Sequence, residues 1–200
     1  MLFFCDATVL VHFYRAGRLN VLSALVGPNG QWTATVRREC RRSEVRLNLP
    51  GLTAAAEQLL GEPLFPEDAE NRRTRVLRRS MADPEEHPDK HLGEAETVTI
   101  MEARNLKAVF FTDDGGATVL AWPHECRNTW EILRLAIKSR NATLADAAAV
   151  RDSFTGAGGI LPHEIRTEEG FHRFLNGDRH LLKTTPRRPG NEPPALTRTP

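Results

Sequence analysis

What the chain has little of narrows its function first. It has three cysteines, Cys5, Cys40 and Cys126, an odd number with no CxxC spacing. That argues against a disulfide framework and points to a reducing compartment. His124 and Cys126 lack the second ligand pair of a structural zinc site. No charge of one sign dominates: Lys plus Arg is 27 and Asp plus Glu is 26. Bulk charge therefore makes no case for nucleic acid, and only local clustering would. No apolar run reaches the roughly 20 residues of a membrane span. The N-terminal apolar run is cut short by Asp6, with no positive region before it, so no secretory leader is expected. A cytoplasmic protein is the expectation. There is no internal repeat, and no Ser-His-Asp or Cys-His pattern marks a protein nucleophile.

What is present reads as alternating strands and helices. The 200 residues, 40% hydrophobic, suit one domain with a small extension. Leu2-Phe3-Phe4-Cys5 and Ala108-Val109-Phe110-Phe111 are short apolar runs with the look of buried strands. A short strand is also expected over residues 31–34, and a strand-like Ala121-Trp122. Helices are expected over 9–25 (punctuated by Gly17), 35–42, 52–60, 68–81, 93–104, 129–140 and 143–154, with another capped by Thr167. Such alternation predicts an α/β fold, a three-layer α/β/α sandwich around a parallel central sheet. The domain is expected over 1–182. Residues 183–200, rich in proline and arginine with few large apolar side chains, read as a disordered tail.

Both apolar runs end in oxygen-bearing side chains, Asp6 and Thr8 after the first, Thr112, Asp113 and Asp114 after the second. Ligands bind beyond the carboxyl ends of strands in open α/β sheets. Glu39 and Glu94 fall on helices that can lean over the same edge. Carboxylates gathered there repel one another unless a divalent cation joins them, and hard oxygen donors suit Mg²⁺ or Mn²⁺. Asp6, Glu39, Glu94 and Asp113 are thus the candidate catalytic residues. Asp6, Glu94, Asp113 and Asp114 are the candidate metal ligands, with the choice between the paired aspartates open and Asp113 preferred. Thr8 and Thr112 are candidates for binding substrate through their hydroxyls. Glu96 lies roughly 200° around the helix from Glu94 and is not expected to share the site. Arg72, Arg73, Arg75, Arg78 and Arg79 form either a solvated helix face or a surface for RNA phosphates.

The ordered set Asp6-Ala7-Thr8-Val9-Leu10, Val36-Arg37-Arg38-Glu39, Leu92-Gly93-Glu94-Ala95-Glu96 and Thr112-Asp113-Asp114 resembles the four acidic motifs of PIN domains. The Gly-Glu-x-Glu stretch is similar to that of a VapC-like prokaryotic subgroup, and the likeness covers roughly residues 2–155. It implies a Mg²⁺- or Mn²⁺-dependent endoribonuclease hydrolysing RNA phosphodiesters, the toxin of a toxin–antitoxin pair. An RNA substrate and a small antitoxin partner are implied with it, and a homodimer is left open. Gly115-Gly116-Ala117-Thr118 stands where this subgroup usually carries an arginine. That motivates an alternative, a PIN-fold protein that binds RNA or a partner without cutting. A flavodoxin-like or receiver domain also carries strand-end aspartates, but receivers pair two of them after the first strand.

Overall fold

The computed structural model describes residues 1–81, 83 and 85–177. The chain divides into two compact units, Met1–Leu161 and one beginning at Pro162. The expected tail at 183–200 lies outside the described residues.

The first unit is built on a four-stranded parallel sheet: β1 (Leu2–Cys5), β2 (Gly30–Gln31), β3 (Ala108–Phe111) and β4 (Glu125–Arg127), in the order β2-β1-β3-β4. An α/β fold with a parallel sheet was expected and is what the chain adopts. Between β1 and β2 run α1 (Ala7–Arg15) and α2 (Leu19–Val26). Between β2 and β3 run α3 (Ala34–Arg46), α4 (Leu52–Leu60), α5 (Asp68–Met81) and α6 (Leu92–Ala103). The short α7 (Gly115–Leu120) joins β3 to β4, and α8 (Thr129–Lys138) and α9 (Leu144–Gly156) follow.

The sheet is covered because its two central strands carry no polar alternation. All four residues of β3 are buried, as a strand inside a parallel sheet requires. Phe4 and Phe110 are register partners and fully buried, clustered with Val98, Ile100 and Met101 of α6 and Ala117 of α7. Alternation sends Phe3 and Phe111 to the opposite face, where their ring centroids lie 5.5 Å apart.

Three local differences from the sequence reading have physical reasons. The helix expected over 9–25 is two helices, because Gly17 turns left-handed at φ +65° after α1. Paired strand falls at Gly30–Gln31 rather than over 31–34, leaving Thr33 as a single bridge to Leu64 and as the N-cap of α3. The strand after β3 is Glu125–Arg127, not Ala121-Trp122, which lies in the turn after α7. β4 pairs only with β3 and its residues are half-buried or exposed, so no apolar run marks it.

The direction of travel across the sheet matters for function. The chain steps from β1 to β2 on one side, then crosses back to β3 on the other. The strand order therefore reverses between β1 and β3, and the crevice outside the carboxyl ends at such a reversal is where α/β proteins bind ligands. In the second unit, the Thr167 hydroxyl accepts the Gly170 N–H at 3.1 Å and caps α10 (Glu168–Asn176).

Candidate metal centre

Cys5 and Phe111 are opposite each other at the ends of β1 and β3, and the Asp6 N–H donates to the Phe111 carbonyl at 2.9 Å. The residues that follow are thereby held side by side. Asp6 is the N-cap of α1: its backbone is still extended, and its carboxylate accepts the Thr8 N–H at 3.3 Å. Its carboxylate is favoured there by the exposed N–H groups of the first turn, yet the residue is only 2% exposed. Asp114 plays the same part for α7, its Oδ1 accepting the Ala117 N–H at 2.8 Å. The turn that brings it there is fixed by Thr112, whose buried hydroxyl accepts the Asp114 N–H at 3.1 Å.

Two glutamates arrive from α3 and α6. Glu94 sits in the first turn of α6. Glu39 reaches across from α3, and its Oε1 accepts the Gly93 N–H at 3.2 Å. This approach depends on glycine: a Cβ at position 93 would lie 2.5 Å from Glu39 Oε2 and 2.9 Å from its Cδ. The carboxyls feel one another. Burial, then the charge of Glu94, pushes Asp6 up to about 7, against hydrogen bonds from Thr8 and Ala7. Burial, then Asp6 and Glu94, pushes Glu39 up to about 9, against the Gly93 N–H and Arg38. Glu94 is raised as well, chiefly by burial and further by Asp114.

Of the expected residues, Asp6, Glu39, Glu94 and Asp114 gather at this edge. Asp113 is placed elsewhere. Its Oδ1 accepts the Thr129 N–H at 2.8 Å, and its Oδ2 accepts the Thr129 hydroxyl at 2.6 Å and lies 3.1 Å from His12 Nδ1. The turn that Thr112 starts after β3 separates the paired aspartates: the first turns to the start of α8, the second to Glu94. Thr8 is exposed beside Asp6, whereas Thr112 is buried and engaged in the turn. Glu96 is turned away, as its helical position predicts, accepting the Thr35 N–H and hydroxyl at 2.8 Å each.

One participant was not anticipated. His91 precedes α6 with a left-handed backbone, φ 62°. One donor atom each from His91, Glu94 and Asp114 lies within 4.8 Å of the other two. The His91 Nδ1 is buried and makes no hydrogen bond. The only sequence signal was its position three residues before Glu94; its orientation depends on a backbone angle that sequence does not announce.

These residues fit a divalent cation. The donors are carboxylate oxygens and one imidazole nitrogen, burial and then mutual repulsion push the carboxyls up, and a buried ring nitrogen makes no hydrogen bond. A cation of two charges would answer both the repulsion and the free nitrogen lone pair.

No family model matches the chain, nor does any curated protein or solved structure. Among the described residues no helix is long and apolar enough to cross a membrane. The case for function therefore rests on the site.

Proposed function

We propose that this chain is a Mg²⁺- or Mn²⁺-dependent endoribonuclease, built on a PIN-like three-layer α/β/α sandwich and working in the cytoplasm. The observation that carries the reading is the convergence of Asp6, Glu39, Glu94 and Asp114 at the carboxyl ends of β1 and β3, where the strand order reverses. It supports the reading because buried carboxyls that raise one another are unstable as bare anions and suited to a cation.

Glu94 and Asp114 would hold the ion, with Asp6 close enough to Glu94 to add its charge; the N–H groups of Thr8 and Ala117 orient Asp6 and Asp114. When bound there, a divalent cation would supply positive charge against a phosphodiester and the polarisation that makes water a nucleophile. The chain's own groups do the rest. Glu39, docked on the Gly93 N–H and close enough to Asp6 and Glu94 to feel their charge, is placed to orient a water or a leaving oxygen beside the ion. The exposed Arg38 on α3 is close enough to lower Glu39, and offers a positive charge to an adjoining phosphate. Thr8 is exposed, and its hydroxyl hydrogen-bonds the Asp6 carboxyl. A toxin role with a small antitoxin partner rests on the PIN resemblance alone.

The test is cleavage of unstructured single-stranded RNA by the purified chain in Mg²⁺, in Mn²⁺ and in excess EDTA. Internal cuts with either cation and none in EDTA are expected. Equal cutting in EDTA, or no cutting under any condition, contradicts the proposal.

A further inference from the structure

We infer that His91 is a nitrogen ligand of the metal centre, and that its imidazole biases the site toward Mn²⁺ over Mg²⁺. The inference rests on the metal-dependent reading above and adds a donor outside the acidic motifs.

The first support is the buried Nδ1, which makes no hydrogen bond. It lies 3.5 Å from Asp114 Oδ2, and a ring nitrogen of His91 falls within 4.8 Å of one oxygen each of Glu94 and Asp114. A buried ring nitrogen without a hydrogen bond is unusual and calls for a partner. The second is the other ring nitrogen. His91 Nε2 lies 3.5 Å from Glu86 Oε2. A carboxylate behind the distal nitrogen is the arrangement that orients a ligating histidine.

The third is that the loop carrying both residues is fastened from two helices. Arg78 of α5 donates to the carbonyls of Lys90 at 3.0 Å, His87 at 2.6 Å and Glu86 at 3.4 Å. Arg42 of α3 holds Asp89 at 2.6 Å. The ring is therefore presented from a braced turn. Magnesium prefers oxygen donors and keeps its waters, whereas manganese, the weakest binder of the first-row series, still gains affinity from a mixed nitrogen and oxygen site. A His-Glu-Asp donor set thus favours manganese over magnesium.

The test is pulsed electron paramagnetic resonance of the Mn²⁺-loaded full chain, with ¹⁵N-histidine labelling as the control. Modulation from ¹⁴N that changes to the ¹⁵N pattern on labelling is expected. His91→Asn should abolish it, since asparagine tolerates the left-handed backbone but has no ring nitrogen. The same variant should weaken Mn²⁺ binding, measured by calorimetry, by about tenfold or more and Mg²⁺ binding by less. Mn²⁺ bound by the wild-type chain without histidine modulation overturns the inference and leaves the acidic centre standing. Retained modulation in His91→Asn assigns the signal to another histidine and also overturns it. Failure of the wild-type chain to bind Mn²⁺ overturns both.

Discussion

Asp113 and Asp114 differ by one position and by everything around them. Asp113 satisfies Thr129 and His12, while Asp114 caps α7 and faces Glu94 and His91. Their substitutions should therefore separate. Asp113→Ala leaves the Thr129 N–H without its acceptor, a loss of about 1–3 kcal/mol of stability, with cation affinity of the folded chain close to wild type. Asp114→Asn keeps an N-cap oxygen, so the fold should hold, but removes a charge from the cation, so Mn²⁺ affinity should fall. Chemical denaturation alongside calorimetry reads both; the reverse pattern would move the site back to Asp113. The sequence exposed the pair but not its register, because alternation is cut short where Thr112 accepts the Asp114 N–H and starts the turn. Gly93 gives a second residue-scale expectation. Glycine to alanine inside a helix ordinarily stabilises by about 0.5–1 kcal/mol. Here the added carbon meets the Glu39 carboxylate at 2.5 Å, so that side-chain end must move away and leave the Gly93 N–H without its acceptor, a cost of about 1–3 kcal/mol. Gly93→Ala should destabilise in the wild-type chain and become neutral or stabilising in a Glu39→Ala background, a coupling that a double-mutant cycle measures.

Elements with strong local signals were legible: α4 at Leu52–Leu60, α5 at Asp68–Met81 and β3 at Ala108–Phe111 fall where periodicity and composition put them. Those that tertiary pairing defines were not. β4 is a short edge strand with an exposed Glu125, and α7 forms over two glycines because Asp114 caps it. That the two glutamates of α6 face different ways was readable from helical geometry. Glu94 turns to His91 and Asp114, and Glu96 turns to Thr35 and joins α6 to α3. The two glutamates therefore make a matched pair of probes. Glu96→Ala strands the buried Thr35 N–H and should cost about 1–3 kcal/mol without moving cation affinity. Glu94→Gln should leave the melting temperature of the metal-free chain unchanged or raised, by relieving repulsion with Asp6 and Asp114, while weakening cation binding. Equal effects of the two on binding would mean that the sides of α6 are misassigned.

At the scale of the whole molecule, the gathered carboxyls make stability depend on pH and on cations together. Asp6 is raised to about 7 and Glu39 to about 9, while an unfolded chain ionises both near the ordinary carboxylate range, about 4. Across that window the folded state binds more protons than the unfolded one, so the stabilising contribution is complete on the acid side. It is lost as pH rises through the folded values. Without added metal, the urea midpoint should fall between pH 5 and 9 for this reason. Saturating Mn²⁺ should raise the midpoint most at the alkaline end, because the cation binds the ionised carboxylates of the folded state alone. A metal-free midpoint that rises steadily over that range would contradict the buried cluster. The central claim is hydrolysis of RNA at the site shared by β1 and β3. Its most direct test is the rate of single-stranded RNA cleavage in Mn²⁺ by the wild-type chain, Asp6→Asn and Asp114→Asn, each shown folded by circular dichroism. Loss of activity by on the order of 10²-fold or more in both variants is expected where charge holding the cation is removed. Wild-type rates in both folded variants would contradict it.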